Sequence, residues 1–201
     1  MKPTDFAYRL SGFFTSYIQG ACGLSDNTLK SYRDTFTILL RFCKLEKGMS
    51  IEKITIEDFS KELIEDFLTW LETERKCSIA TRNQRLAAIH AFFRYVQTEE
   101  PHIMFECQQI LSISSKKAVK PVVNYLSLEG MKTLLKQPII NDKHEFRDLT
   151  LLCLLYDTGA RAQELANLTV ADVNLNTFAT VKLCGKGGKT RLVPIMEQTS
   201  S

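Results

Sequence analysis

Residues 156–165 read YDTGARAQEL, and 25 residues after Arg161 comes Lys186, in the turn GKGGK. Gly159 permits a tight turn just before a helix that would begin near Arg161. A guanidinium at such a turn can hold two phosphate oxygens through parallel hydrogen bonds, which an ammonium group cannot do. A lysine at a hairpin tip can reach the same group and donate a proton. The two segments therefore predict two cations directed at one phosphate.

Each of these cations also has a simpler interpretation. Glu164 lies one helical turn after Arg161 and could neutralise it in an ordinary surface ion pair. Lys186 could be a solvated turn lysine, and its neighbour Lys189 could equally supply the mobile ammonium group. Spacing alone leaves these alternatives open.

Nucleotide and metal sites are disfavoured by the sequence. Residues 188–190 read GKT, like the end of a P-loop, but that motif needs glycine where Leu183 stands and a helix where a strand-like segment follows. Six cysteines are scattered without a close pair, so we expect reduced thiols and no zinc motif. We expect no nucleotide, metal or other cofactor.

Length and composition are those of a globular protein. The chain has 201 residues, 44% hydrophobic and 24% charged, enough for one large or two small domains. Its longest apolar run, residues 149–156, is too short to span a bilayer, and no signal core follows the N-terminus. We therefore expect a cytoplasmic protein with no membrane partner.

The basic residues are concentrated in segments without acids. No Asp or Glu occurs in residues 75–97 or 173–196, whereas residues 46–74 hold nine acids and three lysines. This separation suggests a surface that faces a polyanion, although ordinary solvated faces give similar blocks. Residues 81–85 read TRNQR, a cationic helix start that suits phosphate and major-groove contacts. Routine helix capping is the alternative for this segment.

Apolar periodicity divides the chain into two domains. Residues 1–106 should form a four-helix bundle. Residues 107–123, irregular and rich in Ser and Lys, should be a linker. Residues 124–201 should form a second domain with a buried helix over 146–156. Its strand-like segments 180–184 and 191–195 predict a hairpin in which Pro194 lies on an edge strand.

In this order, the segments resemble the tyrosine recombinase (phage integrase) family over nearly the whole chain. Residues 28–32 and 81–95 look like its SAM-like core-binding domain, which clamps duplex DNA. Residues 157–165 and 168–173 look like the box of the first catalytic arginine, and residues 185–195 like the catalytic-lysine hairpin. The resemblance implies a mainly α fold. An N-terminal SAM-like four-helix domain would precede the first part of an α+β catalytic domain with a β-hairpin.

The family's chemistry is attack of a tyrosine on a phosphodiester, which gives a 3′-phosphotyrosyl intermediate without metal or nucleotide. By resemblance, Arg161 would stabilise the phosphorane, Lys186 (or Lys189) would be the general acid, and Glu164 would support the arginine. The implied partner is duplex DNA, with self-association of the complete protein into a tetramer on DNA. The candidate DNA contacts are Lys30, Thr81, Arg82, Asn83, Arg85, Lys116, Lys117, Lys189 and Arg191.

The chain departs from the family pattern after the lysine hairpin. The family next supplies a His-x-x-Arg box, a further His or Trp, and the nucleophilic Tyr, but here the last tyrosine is Tyr156. Without a nucleophile we expect no covalent catalysis, and exposed apolar surface near residues 149–156. One alternative is a non-catalytic DNA-binding regulator that competes with a full-length recombinase. Another is a helical module for acidic protein partners.

Overall fold

The computed structural model of the chain has two compact units, Met1–Pro121 and Val122–Ser201. It describes residues 3–21, 24–119, 122–138, 142–176 and 178–200, with the side chains of Gln19, Ala21 and Lys186 outside the description. Each unit has its own hydrophobic core. No helix in the described part of the chain is both long and apolar enough to span a membrane.

The first unit is helical, and serine caps begin its main helices. Ser25, Ser60 and Ser78 each accept a hydrogen bond from the backbone N–H three residues later, which satisfies a donor that the helix leaves free. Helix α1 continues directly into the π-helical segment Phe13–Ala21. The helices are α1 (Asp5–Gly12), α2 (Asp26–Glu46), α3 (Lys61–Thr73), α4 (Ile79–Glu99) and α5 (Met104–Leu111).

Aromatic rings fill the core of this unit. Phe92 of α4 lies 5.1 Å from Phe36 of α2 and 5.4 Å from Phe13, measured between ring centroids, and all three side chains are buried. Burial of one such ring contributes about 1.5–3 kcal/mol. Closer to the N-terminal ends of α2 and α4, the Gln84 amide donates a hydrogen bond of 2.8 Å to the Ser31 hydroxyl.

Helix α5 adds a fifth helix to the predicted four. We predicted a linker from residue 107, but Cys107, Ile110 and Ile113 are buried in the core of the first unit. Cys107 and Ile110 lie three residues apart on one face of α5, and Ile113 follows the end of that helix; the surrounding Gln and Ser residues obscured this pattern. Residues 120 and 121 of the predicted linker lie outside the described residues.

The second unit packs helices against a small antiparallel sheet. Strand β1 (Val173–Asn174) pairs with β2 (Thr180–Cys184), which pairs with β3 (Thr190–Pro194), so β3 is an edge strand among the described residues. Pro194 lies opposite Thr180 on that edge, as predicted. The turn Lys186–Gly188 joins β2 to β3. The helices are α6 (Leu128–Leu135), α7 (Lys143–Thr158), α8 (Ala162–Ala166) and α9 (Glu197–Ser200).

Helix α7 is less buried than we predicted. Only Leu154 of this helix is buried, next to Val181 and Leu183 of β2. Phe146 and Tyr156 are 54% and 47% exposed. The prediction of a buried helix is therefore wrong, and the expected exposed apolar surface is present here instead.

Candidate phosphate-binding site

Arg161 occupies the N-cap position of α8, directly after the turn that ends α7. Gly159 forms that turn with φ of 58°, a left-handed conformation that favours glycine. Two hydrogen bonds from neighbouring groups stiffen the segment: the Thr158 hydroxyl donates to the Leu154 carbonyl, and the Ala160 N–H donates to that hydroxyl. The local sequence therefore fixes where the Arg161 side chain begins.

Glu164 is a buried carboxylate that holds two arginines. Its side chain accepts hydrogen bonds of 2.9 Å from both the backbone N–H and the Nη1 of Arg161. It also accepts two from the Arg191 guanidinium, at 3.1 and 2.8 Å. These bonds, that of Arg191 foremost, lower the pKa of Glu164 to about 2, so the carboxylate is ionised at neutral pH.

The base of the hairpin lies against the same carboxylate. A Cβ added at Gly185 would lie 2.9 Å from Glu164 Oε1, closer than real Cβ atoms approach such a group. Only glycine fits there without a shift. Glu164 therefore joins helix α8, strand β3 and the start of the hairpin turn.

Arg161 remains open to solvent despite these contacts. Its side chain is 72% exposed although one of its nitrogens is held by Glu164. Lys189, in the turn region after Gly188, is exposed, and its ammonium group forms no hydrogen bond or ion pair within the described part of the chain. The backbone of Lys186 lies in the turn, but its side chain is outside the described residues, so its reach toward Arg161 stays a prediction.

Arg191 has a different environment from the one we predicted. We assigned it to DNA, but both of its Nη atoms donate to Glu164. The strand register explains this position, because Arg191 lies opposite the buried Leu183 and on the same face as Val193. Period-two alternation along β3, counted from Val193, was the sequence signal that could have located it.

Two predicted DNA contacts of α4 are likewise occupied inside the first unit. Arg82 is buried, donates to the Ser114 carbonyl at 3.2 Å, and lies 3.6 Å from Glu72. Asn83 pairs with the main chain of Lys116: Nδ2 donates to its carbonyl at 2.7 Å and Oδ1 accepts from its N–H at 3.1 Å. The assignment of Arg82 to a phosphate stays a prediction, and its burial and internal partners do not favour it.

The remaining candidates differ in how free their charges are. The Lys116 ammonium donates to both oxygens of Glu72, at 2.7 and 2.9 Å. Arg85 donates to Asp34 at 2.9 Å, and Thr81 shares a hydrogen bond with the Ser78 hydroxyl. Lys30 and Lys117 are exposed, and the ammonium group of neither forms a hydrogen bond or ion pair within the described residues. They are the first unit's candidates with an uncompensated charge.

Comparison with known proteins adds family information to this geometry. The model of the phage integrase N-terminal SAM-like domain matches residues 13–103, and that of the phage integrase family matches residues 124–201. The protein y4rC of Sinorhizobium fredii, whose name describes an integrase/recombinase, is 33% identical over 200 residues, which cover 100% of this chain and 60% of that protein. Tyrosine recombinase XerD of Vibrio vulnificus is 32% identical over 175 residues, which cover 87% and 54%.

The chain thus spans between about half and two thirds of the length of these curated relatives. Solved structures share its fold. The XerH site-specific recombinase bound to a palindromic difH substrate superposes with a TM-score of 0.62 at 20% identity, over 90% of this chain and 52% of that one. The Tn1549 transposon integrase in complex with transposon right end DNA gives 0.64 at 16% identity, over 94% and 61%. The predicted fold class is confirmed.

Proposed function

Since the chain belongs to the phage integrase family, we propose that it binds duplex DNA and holds one backbone phosphate at the site of a recombination reaction. The observation that carries this proposal is the state of Arg161. Its guanidinium is anchored by a buried carboxylate, yet most of it is exposed. A preorganised, open cation of this kind suits the charge that develops on a phosphate during phosphoryl transfer.

The proposed roles of Arg161 and Lys186 follow from the family resemblance, and that of Glu164 follows from its contacts. Arg161 binds two non-bridging oxygens and stabilises the pentavalent phosphorane, since a guanidinium offers parallel donors. Lys186 protonates the leaving 5′-oxygen, with Lys189 as the alternative acid on the same turn. Glu164 supports Arg161 and touches no DNA, because its two oxygens are already shared between Arg161 and Arg191.

Duplex binding is tested by fluorescence anisotropy across a salt series, with single-stranded DNA as the comparison. We expect preferential duplex binding with a steep negative slope of log affinity against log salt, since each neutralised phosphate contributes about 0.9 to that slope. Absence of salt-dependent duplex binding would refute the proposal. It would favour the interpretation in which the basic surface meets an acidic protein.

Individual contacts are tested by comparing two cations of neighbouring helices. Lys30→Ala should reduce the steepness of the slope by about 0.9, because this exposed ammonium has no partner among the residues that the structure describes. Arg85→Ala should reduce it less, since Asp34 already neutralises that guanidinium at 2.9 Å. An equal effect of the two substitutions would mean that Arg85 leaves Asp34 on binding DNA.

We further propose that these 201 residues alone do not cleave DNA. Their last tyrosine, Tyr156, precedes Arg161, so no residue after the arginine box can form the phosphotyrosyl bond. A nicked suicide substrate should therefore trap no covalent protein–DNA adduct. An adduct would show that one of the tyrosines present acts as the nucleophile.

A second candidate function of these 201 residues on their own is that of a regulator that occupies recombination sites and competes with a full-length recombinase. Added to a reaction of such an enzyme, the chain should lower product yield in proportion to its occupancy of the site. We also propose self-association of the complete protein on DNA, as the family resemblance implies, measurable as complexes of increasing stoichiometry on duplexes that carry one or two sites.

A further inference from the structure

The side chain of Asn83 is bonded to the main chain of the segment that leaves the first unit. Its amide forms two hydrogen bonds with Lys116: Nδ2 donates to the Lys116 carbonyl at 2.7 Å, and Oδ1 accepts from the Lys116 N–H at 3.1 Å. The Oδ1 atom also accepts a hydrogen bond of 3.1 Å from Arg82. Both lone pairs of this oxygen are therefore in use, and Asn83 is occupied inside the protein.

Other side chains hold the same segment. Arg82 donates to the Ser114 carbonyl at 3.2 Å, and Glu72 of α3 accepts two hydrogen bonds from the Lys116 ammonium. Residues 114–116 have no helix or strand of their own, so these contacts replace the backbone pairing that would otherwise fix them. We call Glu72, Arg82, Asn83 and residues 114–116 the connector network.

The connector network determines where the next residue lies. Lys117 follows the Asn83–Lys116 pair directly, is exposed, and has no hydrogen bond or ion pair within the described residues. A lysine loses side-chain entropy when it contacts a phosphate, and a mobile backbone would add to that cost. Because the connector network already fixes the backbone at Lys116, part of this entropy cost is met before DNA binds.

We propose that Asn83 is a positioning residue for DNA binding, which acts through Lys117 and touches no DNA itself. The connector network would present the Lys117 ammonium beside the first turn of α4 as a phosphate contact. This inference rests on the proposed duplex binding and adds to it a residue whose role is indirect. It also reassigns Asn83, Arg82 and Lys116, which the sequence placed at the DNA.

The test is the salt slope of duplex binding, because Asn83 carries no charge. Asn83→Ala should reduce the steepness of the slope by nearly the same amount as Lys117→Ala, about 0.9, and the double variant should show no further reduction. Gln84→Ala is the matched control, because this neighbouring amide bonds Ser31 of α2 and not the connector network. It should leave the slope unchanged.

The outcomes separate this inference from the proposed function. NMR hydrogen exchange of the Lys116 amide should accelerate in Asn83→Ala while circular dichroism keeps the helical signal. A loss of affinity with an unchanged slope would mean a direct, uncharged contact of Asn83 and would overturn the inference. So would an unchanged slope and affinity, or a Lys116 amide that stays protected. Absence of duplex binding by the unsubstituted chain would overturn both proposals.

Discussion

Gly185→Ala tests how the hairpin is attached to the arginine site. The φ of Gly185 is −96°, which alanine adopts without strain, so backbone conformation contributes no penalty. The added methyl group would instead meet the Glu164 carboxylate. This substitution therefore isolates the contact between the hairpin base and the group that holds Arg161 and Arg191.

The size of the effect follows from the distances. The new Cβ would lie 2.9 Å from Glu164 Oε1, whereas ordinary contact begins at 3.4 Å, so the carboxylate must move by about 0.5 Å. Hydrogen bonds of 2.8–3.1 Å from the two arginines would then exceed the usual limit of about 3.2 Å. Overpacking of this kind costs about 1–3 kcal/mol, which lowers the unfolding temperature of a small domain by at least about 4 °C.

The decisive assay is the NMR titration of the Glu164 side-chain carboxyl. In the unsubstituted chain its pKa should be about 2. In Gly185→Ala it should rise toward the ordinary value, because the hydrogen bonds from the arginines weaken. Gly188→Ala is the control: its φ of 72° gives a backbone penalty of about 1 kcal/mol, but its Cβ meets nothing within 4 Å. An unchanged Glu164 titration and unfolding temperature in Gly185→Ala would refute the reasoning.

Three further predictions concern titrating groups. Hydrogen bonds from Arg191 and Arg161 lower the pKa of Glu164. The contribution of the ionised Glu164 to stability is therefore present above about pH 4.5 and is lost as pH falls toward about 2. The unfolding temperature of Glu164→Gln, measured in thermal scans, should lack this dependence on pH. Burial lowers the pKa of His90, so the first unit should lose stability as pH falls below about 6.5, and His90→Gln should remove that loss in the same scans. Burial raises the pKa of Cys43 and Cys107 to about 11. At pH 8 a maleimide should therefore label the exposed Cys184 at once, and Cys43 and Cys107 only on unfolding. Native labelling of Cys107, detected by mass spectrometry, would contradict this.

Local signals in the sequence predicted the elements well. A serine followed by an amphipathic stretch located the starts of α2, α3 and α4, because the cap and the first turn lie within four residues of each other. The glycine-rich turn between two β-prone runs located the hairpin in the same way. The Arg161–Glu164 pair, three residues apart, was also a local signal.

Contacts between distant residues could not be found in this way. Arg191 meets Glu164 across 27 residues, and Arg82 meets Ser114 across 32. From the sequence, a cation in an acid-free segment is predicted to face solvent or a ligand, because the acid that pairs with it lies on another helix or strand. Only the strand register of Arg191, beside the buried face of the hairpin, carried a usable hint.

The basic segments therefore contain fewer available charges than their composition suggests. In residues 75–97 and 173–196, three arginines meet acids from outside their own segments: Arg82 with Glu72, Arg85 with Asp34, and Arg191 with Glu164. Because a guanidinium has a planar fork of donors, it suits such fixed pairs, whereas the ammonium of a lysine acts as a mobile point charge. The salt slope should accordingly depend on Lys30, Lys117 and Lys189, whose ammonium groups form no ion pair within the described residues, more than on Arg82, Arg85 and Arg191. Arg161 combines both situations, since an internal carboxylate orients its guanidinium while most of its side chain stays open to a phosphate.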